Sequence, residues 1–235
     1  ENVAELYSIT RERQDVYALN SHLKANKANE MKILAEEITP VEIKGKKGEI
    51  SLVDYDEQPR KDSNLEQLAK LKPVFREGGV VTAGNSSTLN DGAAAVIVCS
   101  ETALKQFNLT PLAELVSSAA SGVDPRIMGI GPTVAIPKAL EKAHLNIDDV
   151  GLFEINEAFA AQALACIDVL SIDEQIVNIN GGAIAIGHPL GMSGARIVGS
   201  LAYSMKRKNV KYGAAALCIG VGQGLACILK NPLVQ

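Results

Sequence analysis

From residue 93 onward the chain alternates short apolar runs with stretches of helical spacing, and this alternation limits the fold more than any other feature. The runs cover 93–99, 112–119, 150–155, 176–179, 214–219 and 225–229; the helical stretches cover 101–107, 132–144, 157–170 and 192–208. A short apolar run bounded by turn residues reads as a strand covered on both faces, and strands interleaved with helices imply a layered α/β architecture. In the last helical stretch Ile197, Leu201 and Met205 share one face. Charge supports the division. Residues 1–90 hold 13 Lys/Arg and 15 Asp/Glu, whereas the longer remainder holds 10 and 12, so the front is rich in surface and the back in core.

The front reads differently. Val3, Leu6, Ile9, Val16, Leu19 and Leu23 mark helical faces, with Thr10 as an N-cap between two helices, so a helical hairpin opens the chain. Residues 39–43 and 50–53 read as short strands joined through Lys44-Gly45-Lys46-Lys47-Gly48, a solvated hairpin turn. With 235 residues, 47% of them hydrophobic, the chain buries a core in one or two domains. A net charge of −4 argues against nucleic acid and anionic membranes as partners. Apolar runs such as 214–219 fall far short of the roughly 20 residues of a spanning helix. Cys99, Cys166, Cys218 and Cys227 form no C-x-x-C pair, so neither a metal centre nor a disulfide framework is expected, and a reducing cytoplasm is the default location. The chain starts at Glu1 with neither Met nor a charged-then-apolar leader, which predicts that the native N-terminus lies upstream and that no signal peptide is visible.

Chemistry concentrates at Gly181-Gly182-Ala183-Ile184-Ala185-Ile186-Gly187-His188-Pro189-Leu190-Gly191, an apolar glycine-rich run that delivers one histidine. An isolated His is most often a core residue satisfied by a carbonyl. Here Gly187 and Gly191 allow close backbone approach, and Pro189 ahead of a helical pattern suits a helix start, where backbone dipoles depress a histidine pKa. Asn156 follows the apolar run 152–155 and reads either as the N-cap that opens the next helix or as a site residue at a strand's carboxyl end. Cys218 ends another run and is either a small buried hydrophobe, the reading given to Cys99, Cys166 and Cys227, or an acid/base placed two residues before Gly220. Nucleotide motifs fail. Gly220-Val221-Gly222-Gln223-Gly224-Leu225 misses the last glycine of G-x-G-x-x-G and precedes a strand, and Gly187 is followed by His, not Lys.

Across Asn156-Glu157-Ala158-Phe159, Gly187-His188-Pro189 and Cys218-Ile219-Gly220 the chain resembles the thiolases, most closely the acetyl-CoA acetyltransferase type, and the resemblance runs from end to end. It implies a five-layer α-β-α-β-α fold, present as an incomplete copy: residues 1–90 the remainder of a loop domain, 91–111 a segment returning to the N-terminal domain, and 112–235 the C-terminal domain. The nucleophilic cysteine is then expected upstream of Glu1. The resemblance implies that His188 activates that thiol and bonds a thioester oxygen, that Asn156 holds a water completing an oxyanion hole, and that Cys218 takes the acceptor's α proton while the Gly220 N–H stabilises the acyl-enzyme oxygen. Ala158 and Phe159 are expected to wall the acyl and pantetheine channel. In the segment Thr82-Ala83-Gly84-Asn85-Ser86-Ser87, Ala83 and Ser87 are expected to line the pantetheine, with Ser87 bonding its amide. Arg60 and Phe75 fall at the nucleotide end. Two positions depart from the family pattern: Gln67 stands where a serine often does, and Val221 where a glycine usually does.

The implied reaction joins two acetyl-CoA into acetoacetyl-CoA by ping-pong chemistry and runs in reverse as thiolysis, with no cofactor beyond the coenzyme A thioester substrate. The implied partners are acetyl-CoA or CoA, the N-terminal half of the same protein, and further copies in a dimer or tetramer. Three rivals stand beside this reading: a 3-ketoacyl-CoA thiolase of longer chain length, a CoA-binding or assembly fragment without catalysis, and a β-ketoacyl synthase, which would need a second histidine where Asn156 stands.

Overall fold

In the computed structural model, which describes residues 1–234, the helical opening forms as its caps predict. Helix α1 spans Asn2–Leu6 and α2 spans Arg11–Glu30, and the Thr10 side chain accepts from the Arg13 N–H at 3.2 Å. Satisfying one of the helix's orphan donors in this way stabilises by about 1 kcal/mol. The hairpin follows as β1 (Val41–Lys44) and β2 (Ile50–Val53), antiparallel with Val41 opposite Val53. Short helices α3 (Leu65–Ala69) and α4 (Glu101–Phe107) come next, each capped by an Asn or Ser side chain.

The remaining elements are β3 (Glu114–Gly122), α5 (Gly131–Ala143), β4 (Leu152–Ile155), α6 (Ala160–Leu170), α7 (Ala183–Ile186), α8 (Ser193–Lys208), β5 (Tyr212–Ile219) and β6 (Gln223–Lys230). Four strands make one sheet in the order β3-β6-β5-β4; β4 and β5 run parallel, the other neighbours antiparallel. Alternation along β4 divides the two cores. Phe153 and Ile155 pack with Ile136 and Leu140 of α5 and Leu164 of α6, while Leu152 packs with Ile197, Leu201 and Met205 of α8. The i, i+4, i+8 spacing of those three residues places them on one buried face. At about 1.5–3 kcal/mol for each fully buried large side chain, these contacts dominate stability. The mixed α/β class holds, with one helix-covered sheet among the described residues.

Three local expectations fail. Residues 93–99 form no strand and are exposed, with Ile97 at 90% and Val98 at 82%, because among the described residues no other strand lies alongside to pair with them. Residues 176–179 give a single bridge, Val177 to Phe153, because the 3-10 turn Glu174–Ile176 uses up the start of the run and Asn178 takes a left-handed φ of 46°. The helix expected from 157 begins at Ala160 with Phe159 as N-cap, so Asn156 does not cap it.

Candidate active site

Asn156 stands one residue beyond β4, its N–H donating to the Ala216 carbonyl of β5 at 2.9 Å. Because β4 and β5 are parallel, Asn156 and the Cys218 end of β5 lie at the same carboxyl edge of the sheet, where α/β proteins place ligands. Its side chain is fully buried and its Nδ2 donates to His188 Nε2 at 3.2 Å. The Asn156 Oδ1 is buried without a hydrogen-bond partner among the described residues, a cost of about 1–3 kcal/mol in a resting site.

His188 is held by its neighbours on three sides. Gly187, at φ +92°, turns the chain out of α7, and a side chain there would collide with Asn90. The His188 N–H donates to the Thr88 carbonyl at 3.0 Å and to Asn90 Oδ1 at 3.3 Å. On the ring, Nδ1 lies 2.6 Å from Ser193 Oγ, and that hydroxyl donates its proton to the Pro189 carbonyl at 3.0 Å. Ser193 therefore accepts from Nδ1–H, which leaves the lone pair on Nε2, facing Asn156. Burial, reinforced by the Arg196 cation, pushes the imidazolium pKa down, so the ring rests neutral at physiological pH with a base at Nε2. Pro189 does not open the helix; it starts the turn ahead of α8, and Ser193 becomes the first helical residue.

Cys218 is 8% exposed, and burial pushes its thiol up to about 11, so it rests as the thiol. Cys166, on the buried face of α6, is pushed to about 12, and Cys227 to about 11. Cys99 is exposed. Gly220 begins the turn after Cys218, with open space where a side chain would be.

The loop that carries Ala83 and Ser87 docks on the short extended segment between Asn156 and α6. Ser86 bridges Phe159, Ala160 N–H donates to Asn85 O at 2.9 Å, and both the N–H and the hydroxyl of Ser87 donate to the Ala158 carbonyl. Ser87 thus spends its hydroxyl proton inside the protein. Phe75 stands edge-on to Phe159, centroids 5.8 Å apart. Arg60, Gln67 and Ala83 line a cavity of about 170 Å³ with His22, Ser86 and Leu68; Ser87 and Phe75 do not line it. The Arg60 N–H donates to His22 Nδ1 at 3.1 Å, tying the arginine's backbone to α2.

Several organising residues escaped the motif reading. Glu157, 1% exposed, accepts from Tyr17, Ser21, Asn178 and the Ile184 N–H, thereby joining α2 to α7, the short helix that precedes His188. Glu154, one turn of the pleat before Asn156, faces Arg196 at 3.4 Å; burial outweighs that cation and lifts the carboxyl to about 8. Ser193 and Asn90 had no local signal, since each acts on His188 through the folded turn.

Comparison with known proteins fits this geometry. The thiolase N-terminal domain model matches residues 1–102 and the thiolase C-terminal domain model residues 109–231. The chain is 51% identical over 233 residues to the 3-oxoadipyl-CoA/3-oxo-5,6-dehydrosuberyl-CoA thiolase of Escherichia coli K12, covering 98% of this chain and 58% of that protein. It is 52% identical over 232 residues to the acetyl-CoA acetyltransferase of Syntrophomonas wolfei, with the same two coverages. Among solved structures, human mitochondrial 3-ketoacyl-CoA thiolase in complex with CoA superposes with a TM-score of 0.94 at 47% identity, over 98% of this chain and 57% of that one. The chain therefore spans a little under three fifths of the length of these relatives, and it belongs to the thiolase family.

Proposed function

We propose that this chain supplies the acid–base half of a thiolase that moves acyl groups between CoA thioesters, most simply joining two acetyl-CoA into acetoacetyl-CoA and splitting it again. The observation that carries the reading is His188, neutral and oriented through Ser193, with its Nε2 at 3.2 Å from Asn156 at the carboxyl edge of the sheet. A lone pair fixed in this way can take the proton of an attacking thiol; as the imidazolium it can then bond the thioester oxygen on which negative charge builds. The nucleophilic cysteine belongs to the part of the relatives that this chain does not span. The buried, unpaired Asn156 Oδ1 supports its role in holding a water that completes the same oxyanion hole.

Cys218 rests as a thiol, the form that protonates the carbanion released in thiolysis; in condensation its thiolate takes the α proton of the second acetyl-CoA. The Gly220 N–H stabilises the acyl-enzyme oxygen. Coenzyme A lies along the cavity beside Arg60 and Ala83, with Phe75 toward the nucleotide, Ala158 and Phe159 walling the acyl channel, and Ser87 offering its remaining lone pair to a pantetheine amide. The domain division at about 90 and 112, a cytoplasmic location, a dimer or tetramer and the lack of any cofactor beyond the substrate belong to the same reading. Among the described residues no helix is long and apolar enough to cross a membrane. The range of relatives, from acetyl-CoA to 3-oxoadipyl-CoA enzymes, keeps a longer-chain 3-ketoacyl-CoA substrate as the second reading.

The test is His188→Ala in a complete thiolase carrying this chain. Loss of a general base costs roughly 10²–10⁴-fold and loss of an oxyanion donor roughly 10²–10³-fold, so turnover should collapse in both directions. A variant within threefold of the parent would overturn the assignment.

A further inference from the structure

Arg11 is placed against the ordinary preference of a helix. It is the first residue of α2, where the backbone N–H groups disfavour a cation. Its guanidinium turns away from that helix end and serves another. Nη2 donates to the Leu68 carbonyl at 2.6 Å and to the Leu71 carbonyl at 3.0 Å, at the C-terminal end of α3, where cations are favoured. Nε donates at 2.8 Å to Asp15 Oδ2, one turn further along α2. Asp15 is 4% exposed, and its other oxygen accepts from Asn85 Nδ2 at 2.9 Å. Asn85 is fully buried and closes the 82–87 loop on itself by accepting from the Thr82 N–H at 2.8 Å.

One continuous run of bonds thus passes from α3 through Arg11 and Asp15 to the 82–87 loop. Both ends of it line the cavity of about 170 Å³: Leu68 and Leu71 from α3 and its end, Ala83, Gly84 and Ser86 from the loop. The two walls meet at Gly84, where a side chain would strike both leucines. Arg11 and Asp15 do not themselves line the cavity, and none of these bonds involves Asn156, His188 or Cys218. A helix of five residues does not hold its place by its own bonds, so α3 depends on what anchors it. A buried ion pair returns about what its desolvation costs; what the planar guanidinium adds is direction, here toward one carboxylate and two carbonyls at once. Resting on the thiolase reading above, we infer that Arg11 and Asp15 are positioning residues for the coenzyme: they hold the two cavity walls at the spacing that admits a CoA thioester, without touching it or the reacting atoms.

The experiment measures the Kd of CoA by calorimetry, and kcat and KM for thiolysis of acetoacetyl-CoA, in a complete thiolase carrying this chain. The proteins compared are the parent, Arg11→Met, and the paired variant Arg11→Met with Asp15→Leu. Methionine keeps the apolar stem and loses the fork. The paired variant strands no buried charge, and Asn85 Nδ2 keeps its bond to the Val80 carbonyl at 3.1 Å, so it decides the matter should Arg11→Met fail to fold. Once the competent wall spacing is populated only about a tenth of the time, Kd and KM should rise about tenfold, while kcat at saturation stays within about threefold of the parent. A folded variant whose Kd and KM stay within about twofold of the parent overturns the inference, even if its thermal midpoint falls, because the pair would then serve stability alone. A fall in kcat as large as the rise in KM overturns it too, since the pair would be acting on the chemistry. A parent that neither binds CoA nor cleaves acetoacetyl-CoA would overturn the thiolase reading itself and this inference with it, a result distinct from variants that match an active parent.

Discussion

Two stretches of this chain are nearly the same text with opposite fates. Gly213-Ala214-Ala215-Ala216-Leu217-Cys218 forms the heart of β5, with Ala214 and Ala216 at 0% exposure. Gly92-Ala93-Ala94-Ala95-Val96-Ile97 is exposed along its whole length and belongs to no strand. Apolar composition and the leading glycine do not separate them, and β-branching at Val96 and Ile97 favours the stretch that stays out of the sheet; neighbours decide. The run at 213–218 lies between β4 and β6, which take up its backbone groups on both sides, whereas no strand among the described residues pairs with 92–97. An apolar run has the capacity to be a strand, and a strand exists only where a partner completes its hydrogen bonds.

The largest expected effect would erase this difference. Adding in trans the portion of a thiolase that this chain does not span should protect amides 93–99 from hydrogen exchange by about a thousandfold or more, while 213–218 changes little. Acetoacetyl-CoA formation should appear at the same time, and a portion whose nucleophilic cysteine is changed to Ala should restore protection without activity. Strong synthesis by the chain on its own, or unchanged exchange at 93–99, would break the account.

A smaller effect separates the two stretches inside the chain. Ala216→Asp places an uncompensated carboxylate between two packed layers and should cost about 3–5 kcal/mol, enough to lose the cooperative transition in urea. Ala95→Asp, at the equivalent exposed position, should stay within about 0.5 kcal/mol. Equal effects would mean that 92–97 packs as deeply as β5.

The finest measure is pH. The folded state holds the Glu154 proton up to about 8, far above the ordinary carboxyl value of 4.5, so it binds that proton more tightly than the unfolded chain does. Glu154 therefore contributes its full stability below about pH 4.5 and loses it progressively as pH rises toward 8. The urea midpoint should fall between pH 5 and pH 8, and Glu154→Gln should flatten that slope. An unchanged slope would mean that the Arg196 ion pair, not burial, rules at this position.

Local rules made much of this legible. Thr10 caps α2, the 41–53 hairpin closes, and Ile197, Leu201 and Met205 face inward, because caps, turns and periodicity act within a few residues. The run at 93–99 misled because its strand signal is intrinsic while its partner is not. Asn156, His188 and Cys218 stood out by residue type and small neighbours, but Ser193 on the imidazole, Asn90 beneath it and Glu157 joining α2 to α7 did not. The bonds of Asn90 and Glu157 span 98 and up to 140 residues, beyond any window along the chain, and the five-residue link from Ser193 depends on the turn at Pro189.

The backbone bond from His188 to Thr88 has a consequence for anyone recombining thiolases. One end lies in the stretch matched by the N-terminal family domain and the other in the stretch matched by the C-terminal one. A chimera joined near residue 105 would look modular on a domain map, yet it would take the histidine from one parent and the loop that aims it from the other. Crossovers that keep residues 82–90 with 181–193 should preserve activity far more often than those that respect the domain border.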